Sequence, residues 1–295
     1  MKLPGAILLN LCVLTVLALA PLSSASAQIN ALLPDQPIKE WNAKDTEKQM
    51  DVLLTLVDPF THRSFDMDMP QMLAVTRIVP MTEEEKAIEL KNHGKTATLK
   101  SQREELLGEL EEIRYLGKKA WAAHVSLENP GLYQLMTETR PRWDEERRIF
   151  EQQFIKTILP VYGLERGWDH PAGIKFEILP LTRPFGLLAP ALFTGRVILS
   201  GAALANTPVL ATRLNADKRG VPTEWHTAQV VKTNAAGEFS VICPLPGWWA
   251  VTATTAGESL KGPDGQPAPL ELGAVLWVYV DDAKATSHKP QKNAK

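Results

Sequence analysis

The sequence predicts a mainly β protein: two β-rich domains, the C-terminal one an antiparallel sandwich, with two short helices in the N-terminal domain. Three observations predict it. From Ile174 onward apolar and polar residues alternate along short runs, as in 174–179, where Ile174, Phe176 and Ile178 share one face. Gly, Pro, Asn and Asp separate these runs at intervals suited to strand connections. No long helical pattern interrupts them before residue 280.

The N-terminal elements are mixed. Residues 51–57 (DVLLTLV) read as a strand stopped at Pro59, and 72–79 (MLAVTRIV) as another between Pro70 and Pro80. A helix is expected over 102–115. Ser101 can cap the free amides of its first turn while Glu104 reaches back, and Leu106, Leu110 and Ile113 fall on one face before Gly117. Strands at 124–127 and 132–137 flank the turn Pro130-Gly131. A second helix is expected over 144–158, with Asp144 as its cap, Phe150, Phe154 and Ile158 on one side, and Pro160 closing it.

The second half reads as strands at 174–179, 195–199, 209–213, 227–233, 238–242, 248–254 and 274–280. Asn234 to Gly237 fits a hairpin connection, and 257–269 an exposed loop. The pattern of a strand followed by a Gly-aromatic hairpin resembles the small Ig-like or prealbumin-like modules. The expected division is residues 28–166 for the first domain and 167–282 for the second.

The ends read differently. Residues 1–27 resemble a secretory signal peptide: Lys2, an apolar run from Ile7 to Ala20, then the small residues Ala25-Ser26-Ala27. The apolar run is short for a membrane span, so the mature chain is expected to be periplasmic or secreted, without a transmembrane anchor. Residues 283–295 read as a disordered basic tail. With Cys12 in the leader, the mature chain keeps only Cys243, so no internal disulfide is expected. With 32 Lys and Arg against 34 Asp and Glu, the charge balance argues against a nucleic-acid partner.

One stretch carries most information: GWDHPAGIKFEILPLTRPFG, residues 167–186. Together with Tyr115-Leu116-Gly117, Ala120-Trp121, Pro130-Gly131-Leu132-Tyr133, Gly247-Trp248-Trp249 and the run from Glu271 to Val278, it resembles the DUF4198 family. Within that family the resemblance is nearest to the NikK/CbiK-like periplasmic proteins associated with nickel/cobalt uptake. It implies a non-enzymatic accessory protein that binds nickel or cobalt, with a membrane transport or surface complex as partner. Three family histidines are replaced here. One position is Asp58, in Asp58-Pro59-Phe60; a second is Gln153, before Phe154-Ile155-Lys156; and 28–40 holds none.

The richest run of ligand types is 58–70. His62 offers an imidazole, Asp58, Asp66 and Asp68 offer carboxylates, and Met67 and Met69 offer thioethers. With His124, which approaches if the strands pair, Asp58, His62, Asp66 and Asp68 form the candidate metal set. The same residues also fit a polar loop whose methionines plug a core edge. No nucleophile elbow, H-E-x-x-H, phosphate loop or C-x-x-C occurs, so no catalytic residue is assigned. Two further classes stay open: a metal-free sandwich acting as an interaction or assembly module, and a hydrolase, which would need a cleft with perturbed groups.

Adjacent side chains on a strand face opposite ways, so one of Trp248 and Trp249 should enter a core and the other cover the outside. Phe176, Val197, Phe239 and Trp277 should be buried. Phe239→Ala is therefore expected to cost about 3–5 kcal/mol in chemical denaturation; a loss near zero would place that side chain on the outer face.

Overall fold

The computed structural model describes residues 28–41, 48–94 and 97–284; the expected signal peptide and residues 285–295 of the expected tail lie outside them. The first half runs through β1 (Ile29–Pro34), β2 (Gln49–Asp58), β3 (Arg63–Phe65), β4 (Met72–Pro80), α1 (Glu83–His93), β5 (Leu99–Glu105), β6 (Glu111–Tyr115), β7 (Lys118–Ser126), β8 (Gly131–Glu138), β9 (Arg142–Asp144) and β10 (Ile149–Val161). The second continues through β11 (Phe176–Pro180), β12 (Leu187–Leu188), β13 (Ala191–Leu199), β14 (Ala202–Ala203), β15 (Pro208–Arg213) and β16 (Gln229–Lys232). It ends with β17 (Glu238–Cys243), β18 (Gly247–Ala256), β19 (Leu260–Lys261), β20 (Pro267–Ala268) and β21 (Leu270–Asp281).

A ten-stranded sheet organises the molecule. Its order is β16-β15-β18-β21-β10-β8-β4-β5, with β12 beside β21 and β9 beside β10. A five-stranded sheet, β1-β2-β7-β6 with β3 on β2, and a four-stranded sheet, β11-β13-β14 with β17 on β13, complete the main layers. The long sheet supplies both cores. On one face Phe154, Ile158, Leu272, Leu276 and Val251 meet Phe176, Phe193, Val197 and Phe239 of the four-stranded sheet. On the other, Ile155, Leu159, Val275 and Trp277 meet Leu32, Leu54, Leu56 and Val125 of the five-stranded sheet. Phe176, Val197, Phe239 and Trp277 are all buried.

The expected C-terminal sandwich is corrected here. β15, β16, β18 and β21 do not close on themselves with the strands of 174–243. They continue a sheet begun in the first half, because β21 pairs in parallel with β10, Phe150 opposite Leu270 through Thr157 opposite Trp277. The sheet therefore joins strands from both sides of residue 166.

Neither expected helix forms: 102–115 is the end of β5, a single 3-10 turn at Leu107–Glu109 and β6, and 144–158 is a turn leading into β10. In β10, Phe150, Phe154 and Ile158 are four apart, a spacing that satisfies helix and strand alike. The alternate residues Ile155, Thr157, Leu159 and Val161 decide it, since they are buried on the opposite face. Asp144 accepts the amides of Glu146 and Arg147, both at 2.9 Å, but these bonds turn β9 into β10 rather than start a helix. Over 102–115, β5 is the outer edge of the long sheet, and its exposed Lys100, Arg103, Glu104 and Glu105 suit an edge that must not recruit another strand. Leu106 then turns inward, its amide on the Leu73 carbonyl at 2.8 Å.

The α-helix among the described residues lies at Glu83–His93. Its capping box is Thr82 with Glu85: the Glu85 amide donates to Thr82 Oγ1 at 3.2 Å, and the Thr82 amide to Glu85 Oε2 at 2.8 Å. Gly94 ends it at φ +64°. The helix has almost no apolar stripe, so periodicity does not announce it, although Thr82-Glu83-Glu84-Glu85 does.

Across the first core, Lys156 of β10 and Glu177 of β11 form an ion pair at 2.7 Å, with side-chain exposures of 1% and 2%. Glu177 also accepts the amides of Ala172 at 3.0 Å and Gly173 at 3.3 Å. Burial lowers the Lys156 pKa, and the Glu177 charge opposes that shift. Lys156→Met should cost about 3–5 kcal/mol in urea denaturation, because it strands a buried carboxylate. Adding Glu177→Gln should recover much of the loss.

Candidate functional site

The ligand-rich run of 58–70 makes the hairpin from β2 into β3 and the crossing toward β4. Asp58, at the end of β2, is buried. Its Oδ1 accepts the amides of Phe60 at 3.0 Å and Thr61 at 3.2 Å, and its Oδ2 accepts the Thr61 hydroxyl at 2.5 Å. That carboxylate organises the turn. His62 follows at φ +51°, with Nε2 3.2 Å from the Tyr115 hydroxyl. Burial and then the charge of Lys218 lower its pKa, favouring the neutral imidazole.

Asp66 Oδ1 accepts the Lys119 amide at 2.8 Å, and its Oδ2 lies 3.5 Å from Lys118 Nζ. The amide bond leads, with Lys118 adding to it, in holding the Asp66 carboxyl below its ordinary range. Asp68 is exposed, 3.8 Å from Lys119 Nζ. His124 is partly exposed on β7, its Nδ1 2.7 Å from Asp51 Oδ1 across the β2–β7 ladder. Asp58, His62, Asp66, Asp68 and His124 are thus each engaged with neighbouring groups, Lys119 serving Asp66 through its amide and Asp68 through its ammonium. Among the described residues no group of three or more His, Cys, Asp or Glu side chains is placed to hold one metal ion. Met67 is buried and its carbonyl accepts the Trp121 indole at 3.2 Å, whereas Met69 is exposed.

Asp66 and Asp68 nevertheless border a cleft that the residue types alone do not reveal. Asn30, Arg140, Arg142, Glu151 and Gln153 line its other walls, and the space measures about 30 Å³. That is room for one or two water-sized groups. The charges in it are mixed. Glu151 is clamped between Arg142 at 2.7 Å and Arg147 at 2.6 Å. Burial raises the Glu151 pKa, and those two guanidiniums pull it back.

Gln153, which stands where the family resemblance expects a histidine, is engaged on both amide atoms. Its Oε1 accepts the Asn30 backbone amide at 2.9 Å and the Asn30 side chain at 3.1 Å, and its Nε2 donates to the Gln28 carbonyl at 3.0 Å. Gly273 faces it across the β10–β21 ladder, where an added Cβ would sit 3.2 Å from Gln153 Cγ. The missing methyl leaves room for the amide. Two more bonds hold the same strand: Trp277 Nε1 donates to the Asn30 carbonyl at 3.0 Å, and the Thr157 hydroxyl to the Leu32 carbonyl at 2.6 Å.

The remaining sequence candidates have structural surroundings. Burial pushes the Cys243 thiol up to about 12, which keeps it protonated and unreactive at neutral pH. Trp249 is buried and donates to the Leu245 carbonyl at 2.9 Å. Trp248 takes the opposite face, its ring edge-to-face with Tyr279 at 5.2 Å. Arg183, near the end of the signature stretch, reaches back to Glu165 just before its start at 2.8 Å. His226 Nδ1 lies 2.9 Å from the Thr223 hydroxyl. Among the described residues no helix is long and apolar enough to cross a membrane.

Comparison with known proteins adds a family and little else. A family model described as "Domain of unknown function (DUF4198)" matches residues 41–257. No curated protein matches the sequence. Among solved structures, BcpA, the major pilin subunit of Bacillus cereus, aligns at 8% identity over 86% of this chain and 67% of that one, with a TM-score of 0.20. The D00-D0 domain of intimin aligns at 14% identity over 86% and 100%, with a TM-score of 0.19. A trypsin-activated alpha-2-macroglobulin from Escherichia coli aligns at 10% over 85% and 16%, with a TM-score of 0.20. Scores this low assign neither fold nor activity.

The Gln153 geometry makes a direct prediction. Gln153→Ala removes three hydrogen bonds to the start of β1 and should cost about 1–3 kcal/mol. Hydrogen exchange at the Asn30 amide should accelerate more than at amides in β13 or β17.

Proposed function

The chain belongs to the DUF4198 family, and we propose that it works there as a non-enzymatic, periplasmic or secreted interaction protein in a nickel/cobalt-uptake setting, without carrying the metal itself. One observation carries the reading. Gln153, at the position of a family histidine, uses both amide atoms to hold Gln28 and Asn30, and so serves the sheet rather than an ion. An amide carbonyl is in any case a poor ligand for nickel or cobalt.

The surrounding charges support the same reading. Asp66, Asp68 and Glu151 already face Lys118, Lys119, Arg142 and Arg147, and Arg140 and Arg142 share their cleft. A divalent cation entering that space would compete with resident cations and be repelled by two guanidiniums. The uptake setting rests on the resemblance of the signature stretch; the role of partner rather than carrier rests on this geometry.

Isothermal titration of the mature protein with nickel, cobalt, zinc and copper salts tests it. The expected result is no site tighter than about 1 mM. A micromolar site that is lost in Asp66→Asn/Asp68→Asn or in His62→Ala would overturn the reading and make the chain a metal carrier.

A further inference from the structure

Where β10 and β21 part, the fold leaves a small aromatic pocket with an acid in it. Their parallel ladder ends at Thr157 and Trp277, and β12 takes its place beside β21 at Val280. The opening between these two pairings is lined by Pro37, Ile158, Phe185, Trp248, Tyr279 and Asp281. Trp248 and Tyr279 are cross-strand neighbours on β18 and β21, and Asp281 stands two residues beyond Tyr279 on the same side of its strand.

The Asp281 carboxylate has no hydrogen-bond or ion-pair partner among the described residues, and partial burial alone raises its pKa. The nearby guanidinium of Arg183 is held by Glu165 at 2.8 Å and lies over the Phe185 ring at 5.4 Å. A partly desolvated carboxylate with no counter-charge among the described residues is an unfavourable arrangement that a cation relieves. Beside it stand aromatic rings, whose faces also attract cations.

We infer that this pocket recognises a single primary ammonium group, the lysine side chain of a partner polypeptide. Size and charge choose this ligand. The cavity measures about 10 Å³, the room of one water-sized group. An ammonium head is of that size; a guanidinium plane, a sugar or a nucleobase is not. The apolar walls suit the methylene stem of lysine, which lies along hydrophobic surface while its head meets a charge. Anions are excluded by Asp281. The site lies five residues along β10 from Gln153 and is independent of whether the cleft there takes a metal.

The test uses the full mature chain, 15N-labelled, at low ionic strength, with the Trp248 indole resonance assigned through Trp248→Phe. Nα-acetyl-lysine methylamide should shift that resonance saturably, with half-saturation at or below about 10 mM. The uncharged norleucine analogue should bind at least tenfold more weakly, as should the lysine probe on Asp281→Asn. No saturable shift with the lysine probe would overturn the proposal, as would equal binding of the norleucine analogue. Equal binding of the arginine analogue would overturn the assignment to an ammonium group. The norleucine and arginine comparisons are made on the unaltered protein, so they decide the matter even if Asp281→Asn does not fold.

Discussion

Lys156 and Glu177 meet where water does not reach, and their contact constrains everything built around it. One lies on the strand that passes through the middle of the long sheet, the other on the first strand of the four-stranded layer. Neither can be left alone in that core, so the two layers are bound to one relative placement. A slip of β10 by one residue would turn Lys156 into the opposite core and leave Glu177 without its cation. The pair is weak evidence for stability, since an apolar replacement of equal volume often does as well, but it is strong on register. It also explains the signature stretch. Glu177 draws the amides of Ala172 and Gly173 onto its carboxylate, while Gly167, at φ +97°, passes so close to Ile78 that a Cβ would sit 2.7 Å from its side chain. The most recognisable residues of the chain are there to fold it.

Read along its length, β10 gathers most of what distinguishes this protein. Glu151 sits in the mixed-charge cleft, Gln153 clamps the first strand, Lys156 ties the layers and Ile158 forms a wall of the aromatic pocket. Alternation assigns these tasks to two faces: odd positions serve the second core and β1, even positions the first core and β11. A strand buried on both sides can do this; an amphipathic helix, with one buried stripe, could not.

That same double burial set the limits of what could be read from residues alone. The strands of the second half were legible because their alternation is simple, and the inward side chains Phe176, Val197, Phe239 and Trp277 were correctly placed by it. Residues 144–158 were not, since spacings of four fit two periods and the decisive residues lay between them. Residues 102–115 imitated a capped helix, while the genuine cap, Thr82 with Glu85, stood before a segment too polar to attract notice. A closed C-terminal sandwich was expected because nothing local states which strand β21 will pair with; that partner lies more than a hundred residues away. Of the candidate site, the ligand types at 58–70 are legible in the sequence and the neighbours that engage them are not. The replacement of a histidine by Gln153 was visible in sequence, but its bonds to Gln28 and Asn30 required the tertiary structure.

The pairing of β10 with β21 has a consequence for how the molecule comes into being. Trp277 donates to the carbonyl of Asn30, a contact spanning 247 positions of the chain. Strands near the start can form hairpins as they are made, yet the long sheet has a vacancy at its centre until β21 arrives. Closing such distant contacts is slow, and the wait leaves hydrophobic strand edges open to pairing with other chains. Those edges stay open until residues 270–281 are made, and β21 then joins β10 to β18 and reaches back to β1 through Trp277.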